Sequence, residues 1–169
     1  YKLYEYGING KTWRLIRKFY ENFMCQVRYG GLSEPFEAKQ GIHQGAPCST
    51  LLFTLFENEL LHQLKNHQSS LSMYDIRVST PAYADDVTFI ATDKRHMQYM
   101  FNQAHKYACK WRFRYSHKKC KVLVFGPDNN PGMSIRLGQE VIMHSKCEQH
   151  LGLGLITDAR QEFKYIDAR

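Results

Sequence analysis

The stretch Tyr83-Ala84-Asp85-Asp86-Val87-Thr88-Phe89-Ile90-Ala91 decides how this chain is read. Two neighbouring carboxylates stand between a short run at 76–79 and an apolar run at 87–91. Ionised neighbours repel, and apolar surroundings offer them little water. A divalent cation between them removes that cost, because carboxylate oxygens are the preferred ligands of Mg2+. On a flat strand the two side chains point to opposite faces, whereas at a tight turn both reach one patch of solvent. An exposed turn is the plainer interpretation of the same letters, since Asp is common there for its local hydrogen bonds.

Upstream lies Gly41-Ile42-His43-Gln44-Gly45-Ala46-Pro47-Cys48-Ser49, running into an apolar helical pattern. Its glycines permit close backbone approach of a ligand. Gln44 can hydrogen-bond a base, sugar or phosphate, and N–H groups at a helix start suit an anion. A strand-to-helix connection that simply needs glycines reads the same way. No Walker, dinucleotide-binding or zinc-protease motif is present.

The remaining pattern alternates hairpins with single helices. Helical spacing of Trp13, Ile16, Phe19, Tyr20 and Phe23 predicts a helix over 11–23, after Asn9-Gly10. Segments 26–29 and 35–40 read as a hairpin around Gly30-Gly31. Ser49 is placed to cap a helix reaching 62–65, with Leu52, Phe53, Phe56, Leu60 and Leu64 on one face. Residues 68–71 read as a loop. Strands are predicted at 76–79 and 87–91, and Asp93 caps a helix carrying Met97, Met100, Phe101, Ala104, Ala108 and Trp111. A strand at 120–125 ends in turn signals at 126–127 and 129–132. A second hairpin joins 134–137 to 140–143 through Gly138-Gln139, and 151–156 is a last strand. The predicted class is α+β, an antiparallel sheet with helices packed on one face.

Composition bounds the possibilities. At 169 residues, 43% hydrophobic and 23% charged, the chain is expected to form one folded domain. Its longest apolar run, Val122-Leu123-Val124-Phe125, is too short for a membrane-crossing helix, so no membrane role is expected. The five scattered cysteines fit neither a disulfide framework nor a zinc cluster. They read as reduced thiols of an intracellular protein, with nucleus and cytoplasm left open.

The net charge of +7 is concentrated in one place. Lys106, Lys110, Arg112, Arg114, Lys118, Lys119 and Lys121 fall within 106–121 with no acid among them. Clustered cations attract polyanions by counterion release, and the interleaved Tyr107, Trp111, Phe113 and Tyr115 offer rings for stacking. A solvated helix face followed by an amphipathic strand gives the same letters. Tyr107 and Trp111 sit at the helix's core spacing, which favours packing over base stacking.

Taken in order, these segments resemble a reverse transcriptase of the non-LTR, LINE-type branch. The Gln44-Gly45 loop leads into a helix, and an aromatic-x-Asp-Asp hairpin, Tyr83-Ala84-Asp85-Asp86, follows. The segment 111–126 resembles the strand after that hairpin with its lysine. His150-Leu151-Gly152 resembles the primer grip, and 1–10 the helix after the first catalytic aspartate. Ala84 points to the LINE-type branch.

The resemblance implies a polymerase palm over 1–145 and the start of a primer-grip and thumb connection over 146–169. It implies primer extension with dNTPs on an RNA template by two-metal-ion nucleotidyl transfer, with two Mg2+ ions in the complete enzyme. Asp85 and Asp86 would be catalytic metal ligands, and Lys119 would contact nucleotide phosphates or help protonate pyrophosphate. Gln44, Gly45 and Tyr83 would border the nucleotide and template, and Leu151 and Gly152 would back the DNA primer. No Asp precedes Asp75, so the family's first catalytic aspartate and its fingers are expected from polypeptide upstream of Tyr1. The chain is therefore expected to be a partial domain, incomplete at its N-terminus and inactive by itself. Ser116 and Cys120 replace the usual residues near the lysine. The alternative is a non-catalytic nucleic-acid-binding remnant of a decayed or domesticated retroelement.

Overall fold

The computed structural model describes residues 1–65, 71–126 and 134–157. Helix α1 (Lys2–Glu5) is a single turn, and α2 (Gly10–Tyr20) starts after an extended Asn9. It stops three residues short of the expected end, because Glu21 is extended and Asn22 takes a positive φ of 57°. Strand β1 (Met24–Cys25) pairs antiparallel with β2 (Phe36–Glu37). The hairpin expected from 26–29 and 35–40 therefore exists, but its first strand lies just before 26–29 while its second falls within 35–40. Inside it, Ser33 ties the loop: its Oγ accepts from Val27 N at 2.9 Å, and its carbonyl accepts from Gln26 Nε2 at 2.9 Å.

Helix α3 (Ser49–Lys65) has the expected bounds. Ser49, expected to precede the helix as its cap, is its first residue, and its hydroxyl donates back to the His43 carbonyl. Strands β3 (Leu71–Met73) and β4 (Ile76–Val78) form a hairpin across Tyr74 and Asp75. Leu71, expected in a loop, begins a strand, while 68–70 lie outside the described residues. Strands β5 (Ala82–Tyr83) and β6 (Asp86–Val87) form the Asp-Asp hairpin. The strand expected over 87–91 continues past Val87 only as single bonds, Thr88 N to Pro81 O at 2.9 Å and Ile90 N to Ser79 O at 2.7 Å.

Helix α4 (Lys94–Trp111) starts as expected, with the Asp93 carboxylate accepting from His96 N at 2.9 Å. That bond holds the Asp93 carboxyl below its ordinary range. The strand expected over 120–125 is reduced to β7 (Lys121–Val122). The turn signals at 127 and 129–132 fall outside the described residues. Strands β8 (Ile135–Leu137) and β9 (Glu140–His144) form the expected hairpin around Gly138-Gln139. Strands β10 (Cys147–His150) and β11 (Leu153–Ile156) form a further one that the sequence reading did not separate.

The class is α+β, but the single antiparallel sheet is corrected. Among the described residues the strands form five small sheets, four of two strands and one in the order β7-β9-β8. Within the last, β7 runs parallel to β9. Strands this short make few ladder bonds, and among the described residues only the β8–β9 hairpin takes up a further strand.

The chain divides into two compact units, Tyr1–Glu59 with Ala82–Asp86, and Leu60–Pro81 with Val87–Arg169. In the first, α1 is fastened to one turn of α3. Lys2 Nζ donates to Phe56 O at 2.6 Å and pairs with Glu59 at 2.9 Å, and Asn58 Nδ2 donates to the Tyr6 hydroxyl at 2.9 Å. The Lys2 side chain is 11% exposed and that of Glu59 43%, so the pair is shielded from water on the lysine side only.

The second unit holds the apolar core. Met100, Phe101, Ala104, Tyr107 and Ala108 form the buried stripe of α4. Val122, Ile135, Leu137 and Ile142 are buried from the three-stranded sheet, and Leu60 and Leu64 from the end of α3. Each large apolar side chain removed from water in this way stabilises by roughly 1.5–3 kcal/mol. Strand β8 lies at the sheet's edge, where unpaired backbone groups invite other strands. Gln98 closes it: its Nε2 donates to Arg136 O at 2.8 Å and its Oε1 accepts from Arg136 N at 2.9 Å. No helix among the described residues is long and apolar enough to cross a membrane. All five thiols are free, and burial raises that of Cys120.

Candidate active site

The Asp-Asp hairpin turns over two residues, Ala84 and Asp85, between β5 and β6. Tight hairpin loops need a left-handed residue to match strand twist. Ala84 supplies it at φ 51°, a conformation that costs a non-glycine residue about 1–2 kcal/mol. The turn places both Asp85 and Asp86 in the exposed class, and Tyr83 is 70% exposed. The expectation of an apolar surrounding is thus corrected. The pair stands exposed at a hairpin tip, where a tight turn lets both side chains reach solvent.

One carboxylate of this unit is not exposed. Glu57, on α3, is 4% exposed, and its Oε2 has no hydrogen-bond partner among the described residues. Burial, with the charge of Asp85 adding to it, pushes its pKa from 4.5 to about 7. The sequence carried a signal for this residue. Position 57 continues the apolar stripe of Phe53, Phe56, Leu60 and Leu64, where an acid is out of place.

The Gln-Gly loop is anchored by a residue the sequence reading passed over. The His43 ring stacks on Phe23 at 3.7 Å between centroids, and lies 4.5 Å from Tyr20 and 4.7 Å from Phe19. Its carbonyl accepts from Ser49 Oγ and from Ala46 N. The side chain is a plug and the backbone a tie, and between them Gln44 and Gly45 are left exposed, Gly45 with φ 79°. The signal was the run of aromatics at 19, 20 and 23, read only as a core-facing helix stripe.

Gln44, Gly45, Tyr83, Asp85 and Asp86 all belong to the first unit. Lys119, Leu151 and Gly152 belong to the second. Lys119 is exposed at the end of a turn in which its N–H and that of Cys120 donate to Ser116 O at 2.9 and 3.1 Å. Leu151 and Gly152, expected to open a strand, are instead the two-residue turn between β10 and β11. Both have positive φ, 50° and 80°, which is the conformation of a type I′ hairpin loop. Leu151 is 51% exposed in this strained position.

Among the described residues no group of three or more His, Cys, Asp or Glu side chains is arranged to hold a metal ion. The chemistry of the hairpin nonetheless fits Mg2+. Two adjacent exposed carboxylates supply hard oxygen donors, and the charge of Asp85 already reaches Glu57. Mg2+ retains waters and takes one or two carboxylates together with substrate phosphates.

The exposed Asp-Asp hairpin and the plugged Gln-Gly loop lie on one unit, and comparison with known proteins gives the class. Residues 1–166 match the family of reverse transcriptases (RNA-dependent DNA polymerases), and the chain belongs to that family. It is similar to the retrovirus-related Pol polyprotein from type-1 retrotransposable element R2 of Bradysia coprophila, at 28% identity over 112 residues. The aligned region is 66% of this chain and 13% of that polyprotein, so the chain corresponds to a small part of its relative.

Proposed function

We propose that this chain supplies part of the palm of an RNA-directed DNA polymerase from a LINE-type element, extending a DNA primer on an RNA template with dNTPs. The observation that carries the reading is the strained two-residue hairpin that holds Asp85 and Asp86 in solvent. In this reading residues 1–145 are palm, and 146–169 begin the connection to the thumb. Asp85 and Asp86 hold Mg2+, which when bound supplies Lewis-acid activation of the primer 3′-hydroxyl and neutralises phosphate charge. Gln44 presents an amide to the nucleotide or template, Gly45 lets the backbone approach it closely, and the exposed Tyr83 ring packs beside the primer terminus. Lys119 offers an ammonium to the nucleotide phosphates, and Leu151 with Gly152 backs the primer strand.

The test is primer extension by a polypeptide that carries residues 1–169 behind the family's first-aspartate strand. Asp85→Asn is expected to abolish extension while leaving template–primer binding within about twofold, because its role is electrostatic at the reacting phosphate and not in strand binding. Full extension by that variant would overturn the assignment. Residues 1–169 alone hold two carboxylates of the expected set and are expected to bind nucleic acid without extending a primer.

A further inference from the structure

Helix α4 contains no Asp or Glu, but it carries a histidine and a cysteine one turn apart. His105 and Cys109 are separated by four positions, so they share a face of the helix. Cys109 Sγ lies 3.6 Å from His105 Nε2, and both residues are exposed. The imidazole is seated against the turn between β8 and β9. A Cβ at Gly138 would come within 2.5 Å of its Cε1 and 2.8 Å of its Nδ1, so the ring rests where only a bare glycine backbone leaves room. A ring held in this way has little rotamer freedom left to lose when it binds a ligand. Beside it opens a cavity of about 540 Å3 whose lining includes Tyr99, Asn102 and Gln139, which leaves the ring accessible to water and small ions.

We propose that His105 Nε2 and Cys109 Sγ form a two-ligand site for a thiophilic divalent cation, Zn2+ above all, with water in its remaining positions. Zn–S bonds of about 2.3 Å and Zn–N bonds of about 2.0–2.1 Å at a tetrahedral angle set the two donor atoms about 3.5–3.6 Å apart. The pair already stands at that separation, so the metal takes the place of the thiol–imidazole hydrogen bond with little movement of either ligand. The thiol proton passes to solvent as the S–metal bond forms, and His105 binds as the neutral ring. Lys106 and Lys110 adjoin the two ligands in sequence, and no carboxylate of α4 balances them. That setting disfavours hard cations such as Mg2+, which need oxygen donors, and suits a metal held by sulfur and nitrogen. Binding here does not depend on the polymerase reading, and its readouts are spectroscopic and chemical.

The experiment is a Co2+ titration of the 169-residue chain under a non-thiol reductant, followed by the sulfur-to-cobalt charge-transfer absorption in the near ultraviolet. The wild-type chain is expected to develop that absorption and to lose it when Zn2+ is added. Cys109→Ser is expected to abolish it. His105→Gln is expected to weaken the affinity at least about tenfold, the loss that even outer partners of a metal ligand can cause. Cys147→Ser, which removes the other exposed thiol, is expected to leave both unchanged. Circular dichroism checks that each variant folds. A second measurement needs no variant: Zn2+ is expected to slow alkylation of Cys109, but not of Cys147, by iodoacetamide as mapped by mass spectrometry. Absorption that survives in Cys109→Ser, an affinity unchanged in His105→Gln, or alkylation of Cys109 indifferent to Zn2+ would each overturn the site.

Discussion

Thr88 Oγ1 and His150 Nε2 lie 2.9 Å apart, 62 residues apart in sequence. The bond joins the segment leaving the Asp-Asp hairpin to the last residue of β10, just before the Leu151-Gly152 turn. Thr88→Val leaves the His150 nitrogen without this partner in a half-buried place. The expected loss is about 1 kcal/mol, read as a melting point lower by roughly 2–4 °C. A double-mutant cycle with His150→Phe is expected to show coupling above about 0.5 kcal/mol. Strict additivity would show that the contact contributes nothing.

Glu57 predicts a stability that falls as pH rises. In the unfolded chain its carboxyl loses its proton near 4.5, but in the fold only near 7. Between those values the folded state binds more protons, so stability declines by up to about 1.4 kcal/mol per pH unit. The total is about 3 kcal/mol, with no further change above the folded value. Glu57→Gln is expected to remove this slope in denaturant titrations from acid to mildly alkaline pH. Asp85→Asn is expected to lower the Glu57 titration midpoint only part of the way, because burial is the larger cause. A Glu57 midpoint near 4.5 in the native chain, followed by carboxyl NMR, would refute the assignment.

Leu151 predicts a trade between stability and function. Asn is far better suited than Leu to the first position of a type I′ turn. Leu151→Asn should stabilise the chain by roughly 1 kcal/mol by removing the left-handed strain. In a polymerising polypeptide the same change is expected to weaken primer extension, since the exposed side chain is the part proposed to back the primer. Unchanged extension at higher stability would remove Leu151 from the primer grip.

His43 predicts a loop phenotype. His43→Ala empties the space between Phe19, Tyr20 and Phe23 and is expected to cost roughly 1–3 kcal/mol. It should also speed amide exchange at Gln44–Ala46. His43→Phe keeps the ring stack and is expected to restore slow exchange. Equal exchange in all three proteins would mean that the loop is held by its backbone bonds alone.

The sequence was most legible where a side chain acts on its own neighbourhood. Asp93 marked the start of α4 because a capping carboxylate needs only the next turn, and Gly138-Gln139 marked its hairpin because φ 64° at Gly138 is a local demand. The length of strands was not legible, since a ladder depends on what lies alongside: the apolar run at 87–91 keeps only Val87 in a strand. Asp85, Asp86 and Gln44 stood out as motif letters. Glu57 and His43 did not, because burial of a carboxyl and caging of a ring are set by residues distant in sequence.

Ala84, Arg112 and Leu151 share a left-handed backbone although none is glycine. Each is a place where a library selected only for heat resistance would converge on Gly or Asn. Such a selection would return a hardier chain that has lost its hairpin-tip methyl, the arginine that ends α4 and its exposed leucine together. Improvement of this protein for laboratory use therefore calls for a paired screen, in which survival on heating is scored alongside template–primer binding and primer extension.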